Sequence, residues 1–452
     1  MNIVIIGGGK VGRKLLEEFT REGHSVTLVD TRDEVIERVQ NDYDVMGVYG
    51  SGMDIDILDE AGVRNCDLAV CVTDKDEINA LCAIVAKKRG AKSCVARIRN
   101  RQYFRQLGFM RDELGINLII NPEFYAASEI SRMLRFPAAI KTETFAKGRI
   151  ELAELKLPES LADKPIFEIY KKYKVRLLIC AVARDDRVII PNGDFVLKNG
   201  DRIHITGSHA DISKFLKLSG IDNLKLKTVM LIGGGRISNY LATQLIESGM
   251  KVKIIERDHE RCMELAEYIP NAKIICGDGT DQYLLDEEGI DTVDAFVSLT
   301  GIDEENIVIS MYARMKNVDK VITKINRISF AQMLDTTGID SIVTPKDITA
   351  NIIVGYARAM NEADSDTEVV SLYRIINGKA EAVEFKVTKN SGVTNTALKD
   401  LKLKKNMLVA AIVKKSGGKS GIPDGSSMIE VGDTVVIVTT ENLKRLTDIL
   451  AD

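Results

Sequence analysis

Asn2-Ile-Val-Ile-Ile-Gly-Gly-Gly-Lys-Val-Gly12 stands at the start of the chain, and Thr228-Val-Met-Leu-Ile-Gly-Gly-Gly-Arg-Ile-Ser238 repeats it 226 residues later. Each stretch has a short apolar run, then a cluster of glycines, then the first residues of an amphipathic segment. A buried strand, a tight glycine turn and a helix are the opening of a βαβ unit. The two stretches therefore predict an α/β fold that is built twice.

The repeat continues beyond the glycines. Val26-Thr-Leu-Val-Asp30 returns as Val252-Lys-Ile-Ile-Glu256, and Tyr49-Gly-Ser-Gly-Met-Asp54 returns as Cys276-Gly-Asp-Gly-Thr-Asp281. The offset stays at 226 or 227 residues until a small deletion late in the second copy. Self-similarity at a fixed spacing over this length indicates a duplicated unit.

Within each copy, short runs rich in Val and Ile alternate with longer amphipathic stretches. Buried strands of this non-alternating kind, separated by helices, are typical of a doubly wound parallel sheet. In the first copy the pattern predicts strands Ile3–Ile6, Val26–Val29, Val45–Tyr49, Leu68–Val72 and Cys94–Ile98, and helices Val11–Arg21, Glu34–Gln40 and Asp76–Arg89.

After about residue 140 the pattern changes to short strands with few helices. The predicted elements here are strands Arg176–Ala183, Val188–Ile190 and Arg202–Thr206 and helix Ala210–Leu218 in the first copy, and strands Met407–Val413 and Gly432–Val438 in the second. Each copy is thus expected to hold a large α/β domain followed by a small α+β domain. The predicted domain boundaries are 1–137, 138–224, 225–360 and 361–452.

Composition excludes several classes of protein. The net charge is −4, with 62 basic and 66 acidic residues, so the chain lacks the basic footprint of a nucleic-acid or anionic-membrane binder. The seven cysteines form no CxxC pair and are expected to be reduced and mostly buried, which favours the cytoplasm. We expect no signal peptide and no membrane-spanning helix.

The first glycine loop fits G-x-G-x-x-G and is followed, 18 residues after its third glycine, by an acidic residue at the end of the next strand. Such a loop brings a pyrophosphate to the N-terminus of the helix, and the acidic residue accepts hydrogen bonds from ribose hydroxyls. The charge of Asp30 would repel a 2′-phosphate, which favours NAD(H) or an adenine nucleotide over NADP. The residues predicted to bind are Gly7, Gly8, Gly9, Lys10, Val11, Gly12 and Asp30.

The second loop has serine in place of the third glycine. Ser238 adds a side chain where helix and strand lie closest, so looser packing is expected there. The alternative for this loop is a structural pseudo-site that binds nothing. If it binds, the residues are Gly233, Gly234, Gly235, Arg236, Ile237 and Glu256, with Glu256 in the role of Asp30.

Other residues are expected at the same edge of each sheet, where ligands bind in this fold. Arg97 and Lys324 end the fifth strands, where a cation can contact phosphate; the alternative is a solvated surface cation. The remaining candidates are Thr73, Asp74 and Thr300 after the fourth strands, and Ser51 and Asp278 after the third. For these, ligand contact and ordinary loop chemistry stay open.

No catalytic centre or metal site is predicted. His24, His204, His209 and His259 lack a partnered carboxylate at a strand end, and each is expected to be a surface or packing residue. The chain has no HExxH, no G-x-S-x-G and no Walker pattern. We therefore expect that the protein is not an enzyme.

Tandem glycine loops, each with an acidic ribose residue, a fifth-strand cation and a small domain containing Pro-Asn-Gly or Pro-Asp-Gly, are similar to a known architecture. They resemble RCK (also called KTN) domains, each followed by an RCK C-terminal domain. Doubled in one chain, they resemble the TrkA family, the cytosolic regulatory subunits of Trk potassium uptake systems. The resemblance covers essentially the whole chain.

The resemblance implies two Rossmann-like domains that bind NAD(H) and/or ATP and ADP as regulatory ligands. It also implies self-association into a ring, as a homotetramer, beneath a membrane-embedded Trk-type potassium transporter that supplies the ion pathway. The protein would then be cytoplasmic and peripheral at the inner face of the plasma membrane, with no nucleic-acid partner.

Two other functions remain open. An NAD-dependent dehydrogenase would need a substrate domain and a general acid or base over the nicotinamide, and neither is visible. A soluble redox or nucleotide sensor that controls transcription would need a basic patch or a helix-turn-helix, and neither appears.

Overall fold

The structure is a computed structural model that describes residues 1–451 except 44, 101–102, 104–112, 136, 186, 221–225, 328–338, 340, 362–366, 377, 390–391, 416–420 and 444. The first part of the chain forms a six-stranded parallel sheet in the order β3-β2-β1-β4-β5-β6. Its strands are β1 (Asn2–Ile6), β2 (Ser25–Asp30), β3 (Met46–Tyr49), β4 (Leu68–Cys71), β5 (Ser93–Arg97) and β6 (Leu118–Ile120). The five predicted strands are confirmed, and β6 is an addition.

The helices of this part are α1 (Lys10–Arg21), α2 (Asp33–Asp42), α3 (Ile55–Glu60), α4 (Asp76–Arg89) and α5 (Pro122–Arg135). α1 forms because Leu15, Leu16 and Phe19 fall on one face, which is fully buried. The strand order reverses between β1 and β4, so the connections that leave the carboxyl ends of these two paired strands run in opposite directions and leave a crevice between them.

A five-stranded antiparallel sheet follows in the order β10-β9-β11-β8-β7. Its elements are β7 (Lys141–Phe145), β8 (Ile150–Lys156), α6 (Ile166–Tyr173), β9 (Leu177–Arg184), β10 (Arg187–Ile189), β11 (Arg202–Gly207) and α7 (His209–Ser219). Ile169 of α6 and Phe215 of α7 pack with Ile179 and Ile203 in one buried cluster. The three predicted strands and α7 are confirmed, while β7, β8 and α6 were not predicted.

The second copy repeats the parallel sheet in the order β14-β13-β12-β15-β16-β17. Its strands are β12 (Thr228–Ile232), β13 (Lys251–Glu256), β14 (Lys273–Cys276), β15 (Ala295–Ser298), β16 (Lys320–Lys324) and β17 (Ser341–Val343). Its helices are α8 (Arg236–Glu247), α9 (His259–Tyr268), α10 (Gln282–Glu287), α11 (Asp303–Met315) and α12 (Pro345–Asn361). The duplication seen in the sequence is therefore a duplication of the fold.

The chain ends in a four-stranded antiparallel sheet in the order β18-β19-β21-β20. Its strands are β18 (Thr367–Ile375), β19 (Ala380–Val387), β20 (Met407–Val413) and β21 (Thr434–Thr439). Among the described residues from 367 onward, short 3₁₀ turns occur and no α-helix does. This small region thus differs from the first one, whose sheet carries α6 and α7.

The described residues divide into two units, and each unit includes part of a helix from the other half of the sequence. The first unit is Met1–Ala127 with Thr344–Ala357, and the second is Ser128–Val343 with Arg358–Asp452. In the first unit the Tyr356 hydroxyl lies 2.7 Å from the Ser93 hydroxyl at the start of β5. In the second, the Gln244 side chain of α8 donates to the Ser128 hydroxyl at 3.1 Å. Most of the helix after β17 therefore belongs to the first unit, and the second half of the helix after β6 belongs to the second unit.

The four-domain division stays a prediction, and its 224/225 boundary lies outside the described residues. No helix in the described ranges is long and apolar enough to cross a membrane.

Candidate functional site

The turn between β1 and α1 is tight enough to require glycine at two positions. Gly7 has φ of 104°, and a Cβ on it would lie 2.9 Å from the Thr73 backbone nitrogen. A Cβ on Gly12 would lie 1.9 Å from the Gly7 carbonyl oxygen. Because glycine lacks a Cβ, the backbone at Gly7 can lie against Thr73, and the first turn of α1 can lie against the Gly7 carbonyl.

Gly9, by contrast, faces open space. A Cβ there would meet no atom within 4 Å. Gly9 also caps α1, which has no side-chain cap and no acidic residue in its first turn. The adjoining residues differ in burial, since Val11 is buried and Lys10 is exposed. An open approach to uncapped helix amides, with the positive end of the helix dipole, suits a phosphate group.

Asp30 ends β2 beside this turn and is only 7% exposed. Its carboxylate accepts a hydrogen bond from the Gly8 amide at 2.6 Å and from the Arg32 amide at 3.0 Å. Burial acts to raise the pKa of Asp30, but the hydrogen bonds from Arg32 and Gly8 outweigh it and hold the pKa below its ordinary value. The residue is therefore a fixed negative charge next to the glycine turn.

Arg32 is a feature of this crevice that the sequence analysis missed. Its guanidinium donates to both oxygens of Asp30, with Nε 3.0 Å from one and a terminal nitrogen 3.2 Å from the other. The arginine side chain is 61% exposed and so can move without disturbing the core. The sequence offered one indication of this contact, a basic residue two positions after the aspartate that ends β2.

The other wall of the crevice is fixed by Asn79, which is fully buried in α4. Its amide oxygen accepts from the Thr73 amide and from the Thr73 hydroxyl, each at 2.7 Å. Its amide nitrogen donates to the carbonyl oxygens of Thr73 at 3.2 Å and Arg97 at 2.9 Å. Asn79 therefore joins the ends of β4 and β5, which carry two of the predicted residues.

The remaining predicted residues of the first site lie at the same edge, each in local contacts. Arg97 forms an ion pair with Glu123 of α5 at 3.6 Å. The Asp74 carbonyl accepts from the Arg99 guanidinium, and its side chain is exposed. The Ser51 hydroxyl accepts from the Met53 amide at 3.3 Å.

The second glycine turn has the same geometry as the first. Gly233 has φ of 95°, and Gly235 faces open space and caps α8 without a side-chain cap. Ser238 does not loosen the packing, contrary to the sequence-based expectation. It is fully buried, and its hydroxyl donates to the Gly233 carbonyl, so the serine bonds to the atom that a Cβ on glycine would approach in the first copy.

Glu256 takes the position of Asp30. Its carboxylate accepts from the Gly234 amide at 2.6 Å and from the Asp258 amide at 2.9 Å. Asp258 stands where Arg32 stands in the first copy and caps α9 instead of pairing with the acidic residue. The Arg261 side chain donates to the Gly234 carbonyl at 2.9 Å, a contact that the sequence analysis missed.

The other residues predicted for the second site lie where their counterparts lie in the first, but Lys324 makes a different contact from Arg97. Asn306 is fully buried, and its side chain contacts Thr300 and the Lys324 carbonyl in the manner of Asn79. The Lys324 ammonium donates to the Thr300 carbonyl at 2.5 Å. Asp278 is exposed and accepts from the amide and hydroxyl of Thr280, which lower its pKa. Exposed Arg236 and buried Ile237 open α8.

The structure thus brings the predicted residues of each copy to the carboxyl edge of one parallel sheet. Within the described ranges, no group of three His, Cys, Asp or Glu residues is arranged to hold a metal ion. Six of the seven cysteines are buried, as predicted, and the exposed one is Cys276. His259 lies beside it, 3.7 Å from Nδ1 to Sγ, at the rim of the second crevice.

Comparison with known proteins gives the family. The TrkA-N domain family matches residues 3–122 and 229–345, and the TrkA-C domain family matches residues 152–220 and 382–451. A relative named Trk system potassium uptake protein TrkA homolog, from Archaeoglobus fulgidus, is 32% identical over 97% of each chain. Trk system potassium uptake protein TrkA from Vibrio alginolyticus is 30% identical over 100% of this chain and 98% of its own.

The solved structure of the GsuK channel bound to NAD shares the fold, with a TM-score of 0.63 and 17% identity over 97% of this chain and 76% of that one. The names of these relatives describe potassium uptake proteins and no enzymatic activity. With matches covering most of its length in the order TrkA-N, TrkA-C, TrkA-N, TrkA-C, the chain belongs to the TrkA family.

Proposed function

We propose that this chain is a nucleotide-sensing regulatory subunit of a Trk-type potassium uptake system. The observation that supports it most is the paired construction of the two crevices. In each crevice one glycine, Gly9 or Gly235, is open to solvent at an uncapped helix N-terminus. The glycine before it in the chain donates its amide to the carboxylate that ends the next strand. The full-length relatives named as Trk potassium uptake proteins supply the physiological setting.

The proposed ligands are NAD(H) and/or ATP and ADP. The uncapped amides and the open glycines fit a pyrophosphate, and Asp30 and Glu256 fit the ribose hydroxyls. The GsuK channel, which has this fold, is described as bound to NAD. The first site comprises Gly7–Gly12, Asp30, Ser51, Thr73, Asp74 and Arg97, and the second comprises Gly233–Ile237, Glu256, Asp278, Thr300 and Lys324.

The proposed assembly is a ring of four chains, which places eight nucleotide-binding domains beneath a membrane-embedded potassium transporter. The ring is cytoplasmic and reaches the inner face of the membrane through that transporter. The transporter supplies the ion pathway, and the ring sets its open fraction. Regulation requires that a nucleotide bind two shapes of the ring with different affinity, because equal affinity shifts no equilibrium.

Two measurements test this function. Mass spectrometry of small molecules retained by the purified chain is expected to find an adenine nucleotide. Reconstitution of the chain with a Trk-type transporter in vesicles is expected to make potassium flux depend on added ATP, ADP or NADH. Flux that is identical with and without the chain at every nucleotide concentration contradicts the proposal, as does turnover of NADH with a carbonyl substrate.

A further inference from the structure

Two thiols lie together at the rim of the second crevice. Cys276 is the last residue of β14 and is paired in register with Glu256 of β13. Cys262 of α9 donates its thiol hydrogen to the Glu256 carbonyl oxygen at 3.2 Å. Both thiols therefore lie beside Glu256, and His259, which contacts the Cys276 sulfur, is in the same helix as Cys262, three residues before it.

The two thiols differ in access and in their neighbours. Cys276 is exposed, and its sulfur lies 3.7 Å from Nδ1 of His259 at the start of α9. Cys262 is only 6% exposed, and burial together with the contact to Cys276 raises its pKa to about 12. Because the thiolate is the reactive form, the exposed thiol with an imidazole beside it is the one that reacts first.

This arrangement occurs in one copy only. Cys262, Cys276 and His259 correspond to Ile36, Tyr49 and Asp33 of the first copy. The other five cysteines are buried, at positions 66, 71, 82, 94 and 180, and burial raises the pKa of each thiol. An oxidant in solution therefore meets one accessible thiol, and a second thiol lies beside the residue with which that thiol is paired.

We propose that Cys262 and Cys276 form a peroxide-sensitive thiol–disulfide site at the rim of the second crevice. His259 accepts the proton of Cys276, and the thiolate attacks one oxygen of a hydroperoxide. The O–O bond breaks, the hydroxyl oxygen stays on Cys276 as a sulfenic acid, and the leaving oxygen takes the proton from His259 and departs as an alcohol, or as water from hydrogen peroxide. Cys262 then attacks the Cys276 sulfur, the S–O bond breaks, and the hydroxide leaves as water with the Cys262 proton.

The disulfide changes the second crevice at its acidic residue. Once Cys262 is bonded to Cys276, it no longer donates to the Glu256 carbonyl, and α9 becomes tied covalently to the end of β14. If the second crevice binds a nucleotide, as the proposed function holds, the ligand at Glu256 lies next to Cys276 and shields it. Nucleotide binding in the second crevice then slows oxidation of Cys276, and this coupling rests on the proposed function.

The test uses the purified full chain, free of nucleotide and reductant, treated with hydrogen peroxide. The expected product has lost two hydrogens, has five of its seven cysteines open to alkylation after denaturation, and yields a peptide pair linked through Cys262 and Cys276 that dithiothreitol separates. Methionine oxidation adds oxygen instead of removing hydrogen, so the two reactions are distinguished by mass.

Three variants assign the roles. Cys262→Ser is expected to lose the disulfide but to accumulate a sulfenic acid at Cys276 that dimedone traps. Cys276→Ser is expected to lose both products, and His259→Asn to form the disulfide more slowly. Seven alkylatable cysteines after treatment of the parent overturn the proposal, as does a disulfide between two chains or between other positions.

A final experiment tests the thiol site and its link to nucleotide binding separately. ADP or NAD⁺, neither of which consumes peroxide, is added before the oxidant. Slower disulfide formation supports the link between the thiols and a nucleotide in the second crevice. An unchanged rate, with the Cys262–Cys276 disulfide still formed, keeps the thiol site and overturns the link to nucleotide binding there.

Discussion

The substitution Asp30→Asn keeps the shape of the side chain in the first crevice and removes its charge. The carboxylate accepts four hydrogen bonds, from the Gly8 amide at 2.6 Å, the Arg32 amide at 3.0 Å and two guanidinium nitrogens of Arg32 at 3.0 and 3.2 Å. An asparagine offers one acceptor oxygen in place of two. Its amide nitrogen then faces a donor, either Gly8 or Arg32.

The magnitude follows from which of these contacts is buried. The Gly8 bond is buried and charge-assisted, so its loss is expected to reduce the free energy of unfolding by roughly 1.5–3 kcal/mol. The Arg32 side chain is 61% exposed, and its ion pair is screened by water, so it adds little. A ribose hydroxyl that donates to the same carboxylate loses a similar contact, which weakens nucleotide binding about tenfold to a hundredfold.

The stability effect has a predicted dependence on pH. The pKa of Asp30 is held below its ordinary value of 3.8, so the folded state binds fewer protons there than the unfolded state. The carboxylate therefore contributes its full stability above the unfolded pKa and loses it as the pH falls through the lower folded pKa. The difference in melting temperature between Asp30→Asn and the parent is expected at neutral pH and to shrink in acid.

The assay is calorimetric titration of the full chain with ADP and with NAD⁺, together with thermal melting. Glu256→Gln is the matched control, because it makes the same change in the second crevice. It is expected to lower the affinity of the second site only. Unchanged affinity at both sites in a folded Asp30→Asn protein would refute the ribose role of Asp30. A melting temperature that is unchanged at neutral pH would refute the stated energetic role of the Gly8 contact.

Three further predictions concern charge, assembly and the buried amide. Arg97→Lys is expected to reduce the preference of the protein for ATP over ADP, because the forked guanidinium becomes a point charge, whereas Lys324→Arg is expected to change it little. Titration of both variants and the parent with ATP and ADP tests this, and equal effects of the two substitutions contradict the proposed difference between the copies. Light scattering at micromolar concentration is expected to show four chains, and a monomer with and without nucleotide contradicts the ring. Asn79→Ala leaves the Thr73 amide without its buried acceptor and is expected to lower the free energy of unfolding by about 1–3 kcal/mol; an unchanged denaturation midpoint argues against this role.

The parallel sheets were predictable because their strands carry local signals. Leu68–Val72 is a continuous apolar run, and Val26–Val29 is apolar except for Thr27. Both are bounded by polar residues, and the structure places β4 and β2 there. The glycine loop also has a local signal, since its spacing matches a turn that only glycine permits. The carboxylate contact of Asp30 with the loop amide follows from the same spacing.

What the sequence analysis missed depends on partners that are distant in sequence or on side-chain conformation. β6 is three residues long, too short for a periodic pattern, and is defined by pairing with β5. The helix of the second half that belongs to the first unit has an ordinary amphipathic pattern, which does not say which sheet it covers. Arg32 is close to Asp30 in sequence, but the side-chain conformation that brings its guanidinium to the carboxylate is not encoded by spacing. The positions of the Cys262 and Cys276 thiols around Glu256 and His259 likewise depend on side-chain conformation.

The two crevices share a backbone and differ in the charges that act on the acidic residue. In the first, a nucleotide that donates to Asp30 must compete with the Arg32 guanidinium. In the second, only backbone amides are seen to donate to Glu256 in the part of the chain that the structure describes, and the position of Arg32 is taken by Asp258. Binding at the first site thus includes the release of an internal cation, while binding at the second does not. The Arg32 side chain is largely exposed, so its release costs little, and this difference alone is expected to lower the affinity of the first site only modestly relative to the second.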